Sequence, residues 1–346
     1  MPAEPVPGRP AGAAPPANGA AASRLWWIVG LTAAVLAASV LMGRYPGPYL
    51  TPPGALAHDE LARNVVLNLR LPRILAALLL GATLGASGAV LQMVFRNPLV
   101  DAGFLGVSPG AAFGASLAIV FLGGAPPVVQ ACAAAFAFLG MAASYLLAQR
   151  IHLGDWVLRL VLAGIIVSAT YSSATGVIKY LADPLRQLPD ITFWLLGGLW
   201  ATTWPDVLHL LPVVVPCLIV LYLMRWRLNL LSLRDETAFS LGAALGRERL
   251  VVLVAAVAAT AVVVSKAGQV GWVGLIVPHI ARRLVGSDAQ RALPASMLLG
   301  VGFVLVCDDL ARTVLSGEIP LGLLTSFAGA AVFAVTLLRR QVRLRP

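Results

Sequence analysis

Lysine is almost missing from this chain of 346 residues. Only Lys179 and Lys266 occur among 25 basic residues; the others are arginines. A phosphate-gripping P-loop needs G-x-x-x-x-G-K-[ST]. The two lysines stand in Val177-Ile178-Lys179-Tyr180 and Val264-Ser265-Lys266-Ala267, and neither follows a glycine. The chain has no Walker A site, so any ATP-driven work falls to a partner. Charge of either sign is scarce too: 12% of residues are charged, 59% are apolar, and the mean hydropathy is +0.86. Soluble globular chains carry about 25% charged and about 45–50% apolar residues. A surface this poor in charge does not stay in water, which excludes soluble enzyme folds and places the chain in a lipid bilayer. The cysteines are Cys132, Cys217 and Cys307, each inside an apolar run. They are too scattered for a metal cluster and read as small packing residues. The formal charge of +10 then reports topology and headgroup contact, not nucleic acid.

What is abundant is hydrophobic sequence of spanning length. Residues 1–24 are rich in Pro, Ala and Gly, cannot bury a core, and read as a disordered tail. The first apolar run, from Leu25 to Met42, is longer than a signal-peptide core and long enough to cross a bilayer, so it reads as a retained helix. An all-α polytopic domain is expected over 25–340. Its ten helices fall near 25–43, 73–93, 109–123, 128–149, 158–180, 206–224, 250–267, 273–286, 292–313 and 320–338. A polar segment occupies 225–249 and a basic tail 341–346. The third and eighth helices are short, and the eighth contains Pro278. Such segments survive at membrane depth only where protein or a water-filled cavity covers them. Ten spans with a cytoplasmic N-terminus put seventeen of the 25 basic residues inside, among them Arg225, Arg227, Arg234, Arg247, Arg249, Arg282, Arg283 and Arg291. The positive-inside rule therefore favours both termini in the cytoplasm. Gly81 and Gly85, then Gly106, Gly110 and Gly114, recur every fourth residue or so, as helices packing closely in lipid require.

Three arginines sit where that rule would not put them. Arg70 and Arg73 lie at the outer mouth of the second helix, and Arg312 near the outer end of the ninth. One reading is docking of an acidic partner through bidentate guanidinium–carboxylate pairs. The other is headgroup contact, or internal pairing of Arg312 with Asp308 or Asp309. Within 225–249, Leu230, Leu233, Ala238 and Leu241 line an apolar stripe on short helices and Gly242 suits a helix end. That stripe fits a groove on a soluble partner or a flat bed in the headgroup layer.

Several stretches together resemble the FecCD family, the permease subunits of ABC importers for iron-siderophores, haem and vitamin B12. They are Leu69-Arg70-Leu71-Pro72-Arg73, the run from Gly81 to Gln92, Asn97-Pro98-Leu99, Gly106-Val107-Ser108-Pro109-Gly110-Ala111, Gly271 to His279, and Glu318-Ile319-Pro320-Leu321-Gly322. The resemblance covers roughly residues 25–340. It implies a type II importer permease of ten helices per subunit, paired with a second copy in a bacterial inner membrane. It also implies two cytoplasmic ABC ATPase subunits, which carry the ATP and magnesium, and an extracytoplasmic substrate-binding protein; this chain binds no cofactor. In the family, arginines matching Arg70, Arg73 and Arg312 receive acids of the binding protein. The segment with Leu233, Asp235, Ala238, Leu241 and Gly242 matches the coupling helices that seat in the ATPase, although Arg234-Asp235 replaces a frequent glycine-glutamate. Val157 and Leu158 stand where some members place small hydroxyl residues at a cytoplasmic gate, so closure here would exclude water. Gln92, Asn97, Pro98, Pro278 and His279 belong to motifs of structure or pathway.

The cargo expected first is an iron chelate, a siderophore or haem, with cobalamin as the alternative. A rival from another class is an ion-coupled secondary transporter using Asp308, Asp309 or His279. A haem enzyme would need a second ligand for His279 at bis-histidine spacing, and the chain has only four histidines.

Overall fold

The computed structural model describes residues 18–342 apart from 46, 48, 53, 55–57 and 316. Residues 1–17 and 343–346, which hold most of the expected tails, lie outside the described residues. Among the described residues the extended pairing is a single antiparallel bridge, Met42 with Leu50; the remainder is helix and connecting loop. We number the helices α1 (Asn18–Leu41), α2 (Glu60–Val94), α3 (Val107–Phe121), α4 (Pro126–Arg150), α5 (Trp156–Leu181), α6 (Gln187–Leu196), α7 (Trp204–Leu223), α8 (Arg225–Leu231), α9 (Asp235–Ser240), α10 (Leu245–Ala267), α11 (Val273–Val285), α12 (Ala289–Thr313) and α13 (Leu321–Val342). Seven of these are long and apolar enough to cross a membrane: α1 from Ser23, α2, α4, α5, α7, α10 and α12. Helices α3, α11 and α13 complete the expected ten runs. The protein is a multi-pass membrane protein.

Three differences from the sequence reading have local causes. Helix α1 begins at Asn18, so residues 18–24 are helical where a disordered tail was expected; with alanine at three of the next four positions, propensity carries the helix back from the apolar run. Helix α2 begins thirteen residues before the expected start. Asp59 caps it by accepting the N–H groups of Leu61 at 2.9 Å and Ala62 at 3.1 Å. Pro72 has no N–H to give to this long helix, and just before it Val66–Arg70 widens into a π turn, in which the Leu71 N–H reaches back five residues to the Val66 carbonyl. The third difference is α6, a ten-residue helix too short to span, which lies between the expected fifth and sixth spans. It ends on Gly197 and Gly198.

Helix α2 is the centre of the bundle, with α7, α10, α11 and α12 against it. Its glycines permit contact between backbones. A methyl group on Gly81 would run into the Gly300 carbonyl of α12, and one on Gly85 into the Ser296 carbonyl. One on Gly88 would strike the Gly274 carbonyl of α11. Without a hydrophobic force between helices in lipid, such close approach supplies the dispersion contacts that hold the bundle. Helix α1 lies at the periphery against α12 and leaves Trp26 and Trp27 exposed.

The start of α1 and the end of α13 lie at one end of the bundle. Arg24 of α1 donates to the Leu284 carbonyl at 3.0 Å, and Arg283 donates to the Thr336 carbonyl of α13 at 3.1 Å. Helices α8 and α9 lie at the same end: Asn229 Nδ2 donates to Asp288 at 2.8 Å, and the Ala289 N–H donates to Asn229 Oδ1 at 2.8 Å.

Gly88→Val should destabilise the purified protein by more than the about 1–3 kcal/mol typical of core overpacking, because backbone must move. Gly30→Ala, where nothing lies within 4 Å of the added methyl, should leave the thermal midpoint unchanged or slightly raised. Thermal unfolding in detergent checks the pair, and equal midpoints for the two variants would refute the close-contact account.

Candidate functional site

The polar stretch between α7 and α10 folds into two short helices joined by a tight turn. Helix α8 is seated through Leu228 and Leu231, both fully buried, and α9 through Ala238. Leu233 is 37% exposed and Leu241 57%, while Phe239 projects at 76%. Gly242 ends the segment with φ +80°, the left-handed conformation that favours glycine. An apolar ridge is thus left on the outside of the basic end. Beneath it, Asp235 is gripped by Arg249 of α10 through two bonds, 2.7 Å and 3.0 Å. Those bonds, with the Arg249 charge and that of Arg96 behind them, hold the Asp235 carboxyl below its ordinary range despite partial burial.

The start of α5 adjoins this segment. Asp155 caps α5 by accepting the Leu158 N–H at 2.9 Å. Val157 is half-buried and Leu158 is 43% exposed. Farther along α5, Ile166, Thr170, Ser173 and Val177 share one exposed face, flanked by Ala169, Ser172 and Gly176. Hydroxyl groups on an open face in mid-span suit water or a second protein surface better than lipid. The signal for this face in the sequence is the hydroxyl-rich run from Ser168 to Thr175 in mid-helix.

A cavity of about 410 Å³ lies behind the junction of α6, α10, α11 and α13, lined in part by Ser87, Asp101, Ser108, Thr260, Gln269 and Ser326. Part of its wall is closely packed backbone: the Gly198 N–H donates to the Ala267 carbonyl at 2.8 Å, and Cβ atoms on Gly197 or Gly322 would collide with the Gln269 carbonyl. Short helix ends are covered here by one another.

At the end opposite α8 and α9 a second charged cluster forms. Arg73 binds Asp308 of α12 (Nε to Oδ1 2.9 Å, Nη2 to Oδ1 2.9 Å) and, through Nη1, both oxygens of Glu318 at 2.9 Å and 2.8 Å. Arg312 pairs with Asp309, which also accepts the Ser39 hydroxyl at 2.7 Å. Arg70, 6% exposed, donates to Thr51 Oγ1 at 2.7 Å and to the Tyr45 carbonyl at 2.9 Å.

The profile of the FecCD transport family matches residues 27–339 of this sequence. The chain belongs to the FecCD transport family. Among its curated relatives, the molybdate import system permease MolB of Haemophilus influenzae is 38% identical over 281 residues, covering 81% of this chain and 83% of the relative. An iron chelatin transport permease of Helicobacter pylori is 41% identical over 277 residues, covering 80% and 82%. A solved inward-facing metal-chelate type ABC transporter superposes with a TM-score of 0.84 at 36% identity, covering 92% of this chain and 99% of that one. The FecCD chain is accordingly an ABC transporter permease.

Within this FecCD permease, Gln92 ties α2 to the start of α11: its Nε2 donates to the Gly274 carbonyl at 3.1 Å and the Leu275 carbonyl at 3.0 Å, and its Oε1 accepts from Arg282. Asn97 Oδ1 accepts the Leu99 N–H at 2.9 Å, closing a turn around Pro98. Pro278 is buried and His279 half-buried on α11. The site residues of the coupling segment and the α5 start meet at one end. The three arginines meet at the other, but turned inward: the structure shows the internal pairing that the sequence reading held beside docking, and it extends that pairing to Arg73. Asp308 and Asp309, which a proton-coupled carrier would need to titrate, are both engaged by arginine.

Arg73→Ala leaves the buried Asp308 carboxylate short of its main partner and should cost about 3–5 kcal/mol, while Arg73→Met with Asp308→Leu should recover most of that loss. A double variant no more stable than the single one would contradict this. For Asp235 the depressed carboxyl value fixes the sign: its pair contributes fully above the unfolded value of about 3.9 and is lost as pH falls through the lower folded value. The stability gap between wild type and Asp235→Asn should stay constant from pH 8 to pH 5 and close only in stronger acid, as read by thermal unfolding across pH.

Proposed function

We propose that this chain is half of an iron-chelate import pathway in a bacterial inner membrane, driven by ATP hydrolysis on separate subunits. Two copies would face each other across the hydroxyl-bearing surface of α5. Two ABC ATPase subunits would seat on the ridge of Leu233, Phe239 and Leu241, which Gly242 ends; Ala238, expected on that stripe, is fully buried and instead seats α9 on the bundle, with Asp235 holding the ridge to α10. The observation that carries the reading is this exposed apolar ridge, anchored by the half-exposed Asp235 on the buried Arg249 at the end where arginines gather. That end is the cytoplasmic one by the positive-inside rule, which puts both termini inside. The likeness to a metal-chelate type transporter and an iron chelatin permease supports an iron chelate as cargo.

The mechanism follows from geometry. Nucleotide binding draws the ATPase subunits together and displaces α8 and α9. The α5 starts of the two copies then move, and Val157 and Leu158 open or close the inner end by admitting or excluding water. No covalent chemistry falls to this chain. At the outer end, a binding protein would present carboxylates to Arg73 in exchange for the exposed Glu318, while Arg70 and Arg312 hold the frame into which it docks.

Proteoliposomes with this chain, its ATPase subunits and its binding protein should take up a ferric chelate only with ATP. Haem, cobalamin and molybdate offered in the same vesicles set the order of preference. Accumulation by this chain alone under a proton gradient would sink the reading. Glu318→Gln should tighten binding-protein docking and Arg73→Glu should weaken it and flatten its salt dependence; titration of binding protein into the reconstituted complex measures both.

A further inference from the structure

One junction joins two parts of the mechanism that the sequence keeps far apart. It is built from the end of α2, the start of α5, the start of α9 and the first turns of α10. Arg96 follows α2 with φ +52°, a conformation unusual for a residue with a side chain. That backbone turn sends its guanidinium between two acids: Nη2 lies 3.6 Å from Asp155 and 3.6 Å from Asp235, and Nη1 lies 3.4 Å from the Leu233 carbonyl. Asp155 is the cap of α5, and Asp235 opens α9. Arg249 makes the second link. It holds Asp235 by two bonds and lays its guanidinium over the Trp156 ring at 5.0 Å from the centroid. Trp156 is the first residue of α5, and its other neighbour is Phe95, 6.0 Å between ring centroids. One carboxylate on α9 therefore reaches the first turn of α5 by two separate cations.

We propose that Arg96 and Arg249 are positioning residues that carry a displacement of α9 to the first turn of α5, and so to Val157 and Leu158. This rests on reading α9 as the ATPase seat and the α5 start as the gate. The two links differ in kind. Arg249 is 6% exposed in its side chain and locked by short bonds, so it moves with α9 as a unit. Arg96 is 28% exposed and at longer range from both acids, so it can trade one for the other as they separate. A cation shared by two acids favours the arrangement that keeps both near it, and pulling Asp235 away loads the Asp155 cap.

The test uses the assembled transporter with its ATPase subunits, with Cys132, Cys217 and Cys307 replaced by alanine and Leu158→Cys as reporter. Disulfide cross-linking between the two copies is followed with and without nucleotide, beside uptake per ATP hydrolysed. Nucleotide should change the cross-linking rate in the parent. Arg96→Gln should remove most of that change and lower uptake per ATP by about fivefold, the lower range for coupled sites. Arg96→Lys should restore both. A purely structural role would lower assembly, uptake and hydrolysis together and leave uptake per ATP unaltered; that result overturns the proposal. If Arg96→Gln does not assemble, Arg249→Lys, which keeps charge but loses the fork over Trp156, is read by the same two measurements. A parent with no nucleotide response at all would reject the ATPase-driven reading itself, and with it this inference.

Discussion

Backbone laid on backbone along α2 is the constraint on which the rest of the molecule depends. Gly81, Gly85 and Gly88 let the carbonyls of Gly300, Ser296 and Gly274 come to the helix surface, which no side chain would permit. In lipid the association of helices comes from contact alone, so this face fixes α11 and α12 against α2 with little freedom to slide. Gln92 then adds directed bonds to the α11 start. The proposed mechanism therefore assigns movement to the ends, where packing gives way to ion pairs.

The two ends differ in chemistry for that reason. At one, Arg73, Arg312, Asp308 and Asp309 are folded into the protein, and their desolvation is tolerable only because each charge faces another. At the other, Asp235, Arg96, Arg249 and Asp155 connect short helices whose apolar sides remain uncovered. The first arrangement braces α2 against α12; the second ties the uncovered ridge of α8 and α9 to the first turn of α5. Between them, α6 and the break between α10 and α11 cover each other's backbone, which is how a thirteen-residue α11 persists within a bilayer.

Much of this architecture was legible in the sequence because hydrophobic length is a strong signal. Apart from the starts of α1 and α2, the ten runs stand within about five residues of the helices that formed, and the 225–249 stretch does contain a pair of short helices. Less legible was anything set by tertiary contact. The Val66–Arg70 π turn answers a proline in a helix whose length no periodicity revealed. Helix α6 is too short to register as a span, and its purpose appears only where its end meets Gln269. Arg70, Arg73 and Arg312 stand out in the sequence, yet spacing could not show that Asp308 lies beneath Arg73, since the two are separated by 235 positions. The same limit hid Arg96, whose importance comes from two acids brought to it by different loops.

The most direct test of a rigid spine with moving ends is backbone hydrogen exchange on the assembled transporter, with and without nucleotide. Amides from Gly81 to Leu91 should exchange slowly and equally in both states, while segments 155–158 and 233–241 change protection together. Loss of protection along α2 on nucleotide binding, or a change at 233–241 with none at 155–158, would contradict the account.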